Sequence, residues 1–230
     1  MMSDLNRTLT GVHMSSKFGE SDMESSPLIY VVDDDISVRE SVADLLATVG
    51  LEVRLFTSAT QMLDVLAKTA DKSAASPSCL ILDVRMPGIG GLEAQDRLAK
   101  LQLYIPIVFM TAHGDIAMTV KAMKSGAHNF LSKPFRDQDM LDAVRSAMMH
   151  DRTRRENELG RRDLHERYES LTAHERKLLS MVVSGMMNKQ IAAKMNLSEI
   201  TIKVHRRQLM RKMKANTLVE LVKLETRLAN

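Results

Sequence analysis

The stretch LIYVVDDDIS, residues 28–37, decides how the chain is read: large apolar residues in succession end in three adjacent carboxylates, Asp33, Asp34 and Asp35. At ~4–5 Å separation and an effective dielectric near ~20, each like-charged pair costs about 3–4 kcal/mol. A buried strand with such repulsion at its carboxyl end needs a cation there. The segment after the acids has a helical pattern. In ISVRESVADLLATVG (36–50), Val38, Val42, Leu45, Leu46 and Val49 share one face, and Gly50 is a stop signal. Asp35 reads as the cap of that helix rather than as a ligand.

The alternation repeats. EVRLF, CLILD, PIVFMT and HNFLS read as strands, while SATQMLDVLAK, GLEAQDRLAKL, IAMTVKAMKSG and DQDMLDAVRSAMM read as helices. Five strands alternating with five helices imply βαβ units and a parallel sheet covered on both faces. The continuous apolar runs CLIL and PIVF suit strands buried on both sides. In open sheets of this kind the functional crevice lies beyond the carboxyl ends of the strands. Asp33 and Asp34 follow the first strand, Asp83 ends the third, Thr111 the fourth, and Lys133 follows the fifth. Carboxylates converging there suit Mg²⁺, which prefers oxygen ligands and completes its shell with waters, a backbone carbonyl and a phosphate. A lysine is a point charge suited to a phosphoryl oxygen, and a threonine hydroxyl can donate to another. This is chemistry for placing a phosphoryl group.

Length and composition set the frame. At 230 residues the chain suits two domains, and 44% apolar with 27% charged residues is globular. The single cysteine, Cys79, lies in an apolar run and reads as a small buried hydrophobe. No apolar stretch approaches the ~18–20 residues that span a bilayer, and the N-terminus lacks a secretion-type apolar core, so a soluble, cytoplasmic protein without a membrane partner is expected. The net charge of +3 hides an asymmetry: residues 151–230 hold 18 Lys and Arg against 10 Asp and Glu, leaving the first 150 residues at −5. An acidic front and a basic back argue for two modules with different partners, the basic one suggesting nucleic acid. Residues 1–26 are polar and aperiodic and are expected to be a disordered tail, with Met14 and Met23 as alternative starts. Residues 151–170 carry six basic and six acidic residues and read as a charged helical linker.

The motifs VVDDD (31–35), LDVRMPGIGG (82–91), TAHGD (111–115) and SKPF (132–135) resemble, in order, spacing and strand-end placement, the receiver domain of two-component response regulators. The resemblance covers residues 27–150 and implies a flavodoxin-like (βα)5 fold. It implies that Asp83 takes a phosphoryl group from a sensor histidine kinase. Asp33 and Asp34 would position Mg²⁺, Asp34 directly and Asp33 through water, with Asp83 and the Arg85 backbone carbonyl as further ligands. Thr111 and Lys133 would contact the phosphoryl oxygens, and a cis Lys133–Pro134 bond would aim the lysine inward. Phe130 matches an aromatic that changes rotamer when the threonine moves; many relatives have Tyr there, and Phe130 has no phenolic hydroxyl through which to switch.

From residue 171 the pattern is helical without strands. Thr172 with Glu175 forms a capping box, Gly185 stops a helix, Asn188 is expected to cap KQIAAKM, and Ser198 to cap a longer basic helix after the turn NLS. A short helix, a tight turn and a basic second helix form a helix-turn-helix. Ile202, Leu209 and Met213 continue an apolar stripe with Ile191 and Met195. Lys203, Val204 and Arg207 share the opposite face and are the candidates for reading DNA, with Lys189, Thr201 and Arg206 as further contacts. His205 could contact phosphate or pack; the residues do not choose. NKQIAAKMNLSEITIKVHRRQLMRKM resembles the LuxR-type helix-turn-helix that ends NarL- and FixJ-class response regulators, including their aromatic-catabolism subgroup. The resemblance makes 171–230 a four-helix domain whose last helix, ANTLVELVKLETRL, serves dimerisation.

The expected whole is α/β plus all-α. It is a response regulator, not an enzyme: phosphorylation with Mg²⁺ promotes a homodimer that binds double-stranded promoter DNA and, with RNA polymerase, activates transcription. Two rivals stay open. A DNA-binding regulator independent of phosphorylation would show equal promoter affinity with and without a phosphodonor. An Mg²⁺-dependent phosphohydrolase would want an acid/base carboxylate two residues after Asp83, where Arg85 stands.

Overall fold

In the computed structural model the first strand, β1 (Leu28–Val32), sits inside a five-stranded parallel sheet between β2 (Glu52–Phe56) and β3 (Ser78–Asp83), with β4 (Ile107–Thr111) and β5 (Asn129–Ser132) beyond, in the order β2-β1-β3-β4-β5. The structure describes residues 27–69, 77–112 and 116–229. The tail at 1–26 and residues 113–115 of the TAHGD motif lie outside them.

Strand periodicity divides two apolar layers. Tyr30, Val32, Leu80, Leu82, Ile107 and Phe109 face α2 (Ala59–Thr69), α3 (Gly91–Lys100) and α4 (Ile116–Lys124), which supply Met62, Leu66, Ala94, Leu98 and Ala122. Their neighbours Ile29, Val31, Cys79, Ile81, Val108 and Met110 face α1 (Ile36–Ala47) and α5 (Asp137–Glu169), which supply Val42, Leu46, Met140, Ala143, Val144 and Ala147. Burial on both faces is why these strands are apolar throughout. Cys79 is free and fully buried, and burial pushes its thiol pKa up.

α5 differs from expectation. It is one helix of 33 residues, running without a break through residue 150, where the composition suggests a junction. Between residue 151 and Leu164 it has no apolar stripe, and its second half is laced by pairs at i,i+3 and i,i+4 spacing: Arg152–Glu156, Arg154–Asp151, Arg154–Glu158, Arg155–Asp151 and Arg167–Asp163. Asp151, fully buried, also accepts from the backbone N–H of Ser78 at 2.9 Å, which fixes the middle of α5 against the start of β3.

Four helices complete the chain: α6 (Ala173–Val183), α7 (Asn188–Met195), α8 (Glu199–Lys212) and α9 (Leu218–Ala229). Leu178, Leu179, Ile191, Ile202, Leu209, Met213 and Leu221 form their core, and Leu164 of α5 joins it. Thr172 and Glu175 make the reciprocal capping box. The start of α7 is offset by one residue from expectation. Met187 is the cap position, with its N–H donating to Gln190 Oε1 at 2.8 Å, and Asn188 is the first helical residue. Asn196, left-handed at φ 55°, ends α7, and Ser198 caps α8 by accepting from Thr201 N–H at 3.1 Å. Among the described residues no helix is long and apolar enough to cross a membrane.

Candidate functional site

The parallel sheet delivers four of the predicted residues to one edge. Asp33 is 1% exposed, Asp83 5% and Thr111 0%. Lys133 Nζ donates to Asp33 Oδ2 at 2.5 Å and to Asp83 Oδ1 at 2.7 Å. One ammonium therefore sits between two buried carboxylates, one following β1 and one ending β3, and offsets the repulsion between them within the chain. Sequence spacing assigned that offset to a metal alone. The Lys133–Pro134 peptide is cis, and Lys133 N–H donates to the Thr111 carbonyl at 2.7 Å.

Each acid is held by its own loop. Asp33 Oδ1 accepts from Asp35 N–H at 3.0 Å, and the Asp33 carbonyl accepts from the Arg39 guanidinium at 2.6 Å. Arg39, buried on α1, escaped the sequence reading; its signal was a charge three residues before Val42 on an otherwise apolar face. Asp83 Oδ2 accepts from Arg85 N–H at 2.7 Å. Gly91 packs under this loop, and a Cβ there would stand 2.3 Å from the Asp83 carbonyl, so only glycine fits. Asp35 caps α1, accepting from Ser37 N–H at 2.8 Å.

These contacts set the electrostatics. Burial raises the Asp83 carboxyl above its ordinary value; Lys133 opposes this, and Asp33 adds to it. For Lys133 burial pulls down, but the hydrogen bonds it donates to Asp33 and Asp83, with the charges of those carboxylates, outweigh it and hold the ammonium above its usual range. Phe130 is half-buried against Phe109, their ring centroids 6.3 Å apart.

Does this donor set suit Mg²⁺? Asp33 and Asp83 offer hard oxygens, and among the described residues the Arg85 carbonyl accepts no hydrogen bond. Two carboxylates and a carbonyl are enough for an ion that keeps several waters. Asp34 is exposed, and among the described residues no three His, Cys, Asp or Glu side chains gather closely enough to hold a metal ion. The set fits: Asp33 and Asp83 are buried at the sheet edge, and Asp34, next to Asp33 in sequence, is exposed and open to a hydrated ion.

At the other end of the chain, Lys203, Val204 and Arg207 are exposed on α8. With Ile200, Gln208 and Arg211 they line one shallow surface hollow. Ile200, 75% exposed, and Gln208 were missed, although i,i+3 and i,i+4 spacing from 200 through 211 marks the face. Lys189 is exposed. Thr201 is half-buried, its hydroxyl 2.8 Å from that of Ser198. Arg206 departs from its expected place: half-buried, it donates to Asn188 Oδ1 at 3.1 Å and pins α8 to α7. His205 is half-buried as well.

A buried acidic edge on the sheet domain and an exposed basic helix in the helical domain are thus joined through one uninterrupted helix, α5. Comparison with known proteins agrees. Residues 29–145 match the response regulator receiver domain, and residues 169–224 match the luxR family of bacterial regulatory proteins. Nodulation protein W of Bradyrhizobium diazoefficiens is 47% identical over 206 residues, 90% of this chain and 88% of that one. Response regulator protein TmoT of Ectopseudomonas mendocina is 44% identical, over 90% of this chain and 91% of its own. The solved structure of response regulator StyR is similar with a TM-score of 0.78 at 42% identity, covering 88% of this chain and 100% of that one. The chain belongs to the response regulators that join a receiver to a LuxR-type DNA-binding domain, and is a two-component transcription regulator rather than an enzyme.

Proposed function

We propose that Asp83 accepts a phosphoryl group from a sensor histidine kinase, and that this phosphorylation controls dimerisation and promoter binding. The observation that carries the proposal is the convergence of Asp33, Asp83 and Lys133 at the carboxyl edge of the sheet. Asp83, raised above its ordinary value, is the nucleophile: its carboxylate oxygen forms the new P–O bond as the donor's bond to phosphorus breaks. Mg²⁺, held by Asp34 directly and by Asp33 through water, with Asp83 and the Arg85 carbonyl as further ligands, would supply electrostatic stabilisation of the phosphoryl oxygens. Lys133 and Thr111 contact those oxygens once charge is added at Asp83, and Phe130 follows Thr111. The cleft lined by Val38, Ser41, Leu45, Pro134 and Phe135 lies beside Lys133 and gives the donor protein an apolar seat at the site.

The phosphorylated chain pairs through its receiver and α9 and presents two α8 helices to a two-fold operator. Lys203, Val204 and Arg207 read base edges, Lys189 and Thr201 hold phosphates, and Arg206 keeps α7 and α8 in register. Recruitment of RNA polymerase, hence activation in the cytoplasm, completes the reading. The test is acetyl phosphate with Mg²⁺ on the full chain. An acid-stable, base-labile acyl phosphate forms on the parent and is absent in Asp83→Asn, and promoter affinity rises only in the parent. Equal promoter affinity with and without the donor sinks the proposal.

A further inference from the structure

We propose that a cleft between α5 and α9 binds a compact phosphate-bearing anion; the inference stands apart from the phosphorylation of Asp83. The apolar seam between these helices holds Leu164 and Tyr168 of α5 with Leu221, Leu224 and Leu228 of α9. Beside it lies a cleft of about 480 Å³ lined by Arg161, Arg162, His165, Glu166, Arg227 and Leu228. Arg152, Arg154, Arg155 and Arg167 on the same helix are each committed to a carboxylate. Arg161, Arg162 and Arg227 are not: among the described residues none of the three has an ion pair or a hydrogen bond. Three free guanidiniums thus meet one carboxylate, Glu166, at the rim, and Glu225 lines the adjoining hollow with His165.

Gly160 adds an independent observation. Glycine disfavours a helix interior, yet this one stands mid-helix, and a Cβ there would lie 3.8 Å from Arg227 Nη2. The missing side chain leaves that guanidinium open from the α5 side. A planar guanidinium matches phosphate in a bidentate fork, and the cleft is in the size range of small-ligand sites, about 300–1,000 Å³. The hollow between the two helices presents exposed guanidiniums from both sides, a spacing suited to a compact di- or triphosphate group. An anion held by Arg162 on α5 and Arg227 on α9 clamps the last helix to the long one, so its binding and that packing strengthen each other reciprocally.

The probe is inorganic pyrophosphate, titrated calorimetrically into the full-length chain without metal. Saturable one-to-one binding is expected, weakened about tenfold or more by Arg162→Ala and by Arg227→Ala separately, and unchanged by Lys203→Ala. Gly160→Glu places a carboxylate beside Arg227 while improving helix propensity, so it abolishes binding with the thermal midpoint preserved. Unsaturable heats, or binding that survives these substitutions (an adventitious ion only), overturn the proposal. So does a loss of duplex affinity in Arg162→Ala and Arg227→Ala without any pyrophosphate binding, which would make the cleft part of the DNA surface.

Discussion

Asp151→Ala offers the sharpest test of how the long helix is fixed to the sheet. Asp151 is fully buried and takes donors from two elements: Ser78 N–H at 2.9 Å, Arg154 Nη2 at 2.7 Å and Arg155 Nε at 2.5 Å. Removing the carboxylate strands the Ser78 N–H, which costs about 1–3 kcal/mol. It also breaks a buried ion pair, where one-sided removal typically costs about 3–5 kcal/mol. These contributions overlap, and Arg154 and Arg155 keep 25% and 16% side-chain exposure, so both cations can turn to water. We therefore expect a loss of about 3 kcal/mol, a midpoint fall of roughly 6–12 °C for a chain of this length. Asp151→Asn keeps an acceptor for Ser78 and should lose about half as much. The chain has no tryptophan, so urea unfolding is followed by far-UV circular dichroism. Cys79 lies next to Ser78 in β3, and its modification rate by a thiol reagent reports local opening of that strand start. If the alanine variant loses less than about 1 kcal/mol, the range of a surface pair, and Cys79 reacts no faster, the assignment of Asp151 as the fastening point is wrong.

Three further outcomes are expected. The Asp83 carboxyl is raised by burial above its ordinary 3.8, so its contribution to stability is intact below that value and is lost as pH rises through the folded value. Asp83→Asn, without Mg²⁺, should therefore melt a few degrees higher than the parent at neutral pH, with the difference vanishing in acid. On DNA, Arg207→Ala should cut the ratio of specific to random binding about tenfold or more, while Lys189→Ala weakens both alike and lowers the salt slope by about one; band-shift titrations across salt measure both. The Glu175 carboxyl is held below its ordinary 4.5 chiefly by Lys212 at 2.7 Å, with Thr172 adding. That stability is present above 4.5 and lost as pH falls through the folded value, so the deficit of Lys212→Ala, at most about 1 kcal/mol, should shrink in acid denaturant scans.

The receiver sheet was legible because its central strands β1, β3 and β4 are short, apolar and closed by chemically marked residues. LIYVV and EVRLF occupy the same residues in the structure as in the sequence reading. The edge residues Asp33, Asp83, Thr111 and Lys133 were legible for the same reason, since parallel strands send all their carboxyl ends one way. Which partner each would take was not. The ammonium between Asp33 and Asp83 joins positions 100 and 50 residues apart, and no local pattern encodes that contact. Residues 151–170 were legible as helical from their charges; that they continue the preceding helix without a break was not, because the composition changes near residue 150 and Gly160 weakens the helical signal. Asn188 misled through its side-chain type: a good capping residue stands one position late, its amide spent on Arg206. Asp151 gave no sign at all, being one acid in a run of mixed charges.

The 33 residues of α5 amount to a rod of about 50 Å at ~1.5 Å rise per residue. A rod magnifies angle into distance. With Asp151 as the fulcrum, about 5° of tilt there would carry the end of α5, ~27 Å further on, through roughly 2.4 Å, about two thirds of the ~3.4 Å axial rise per nucleotide of a DNA strand. A small change of seating near Asp83 would thereby reach the footing of the recognition helix enlarged rather than damped.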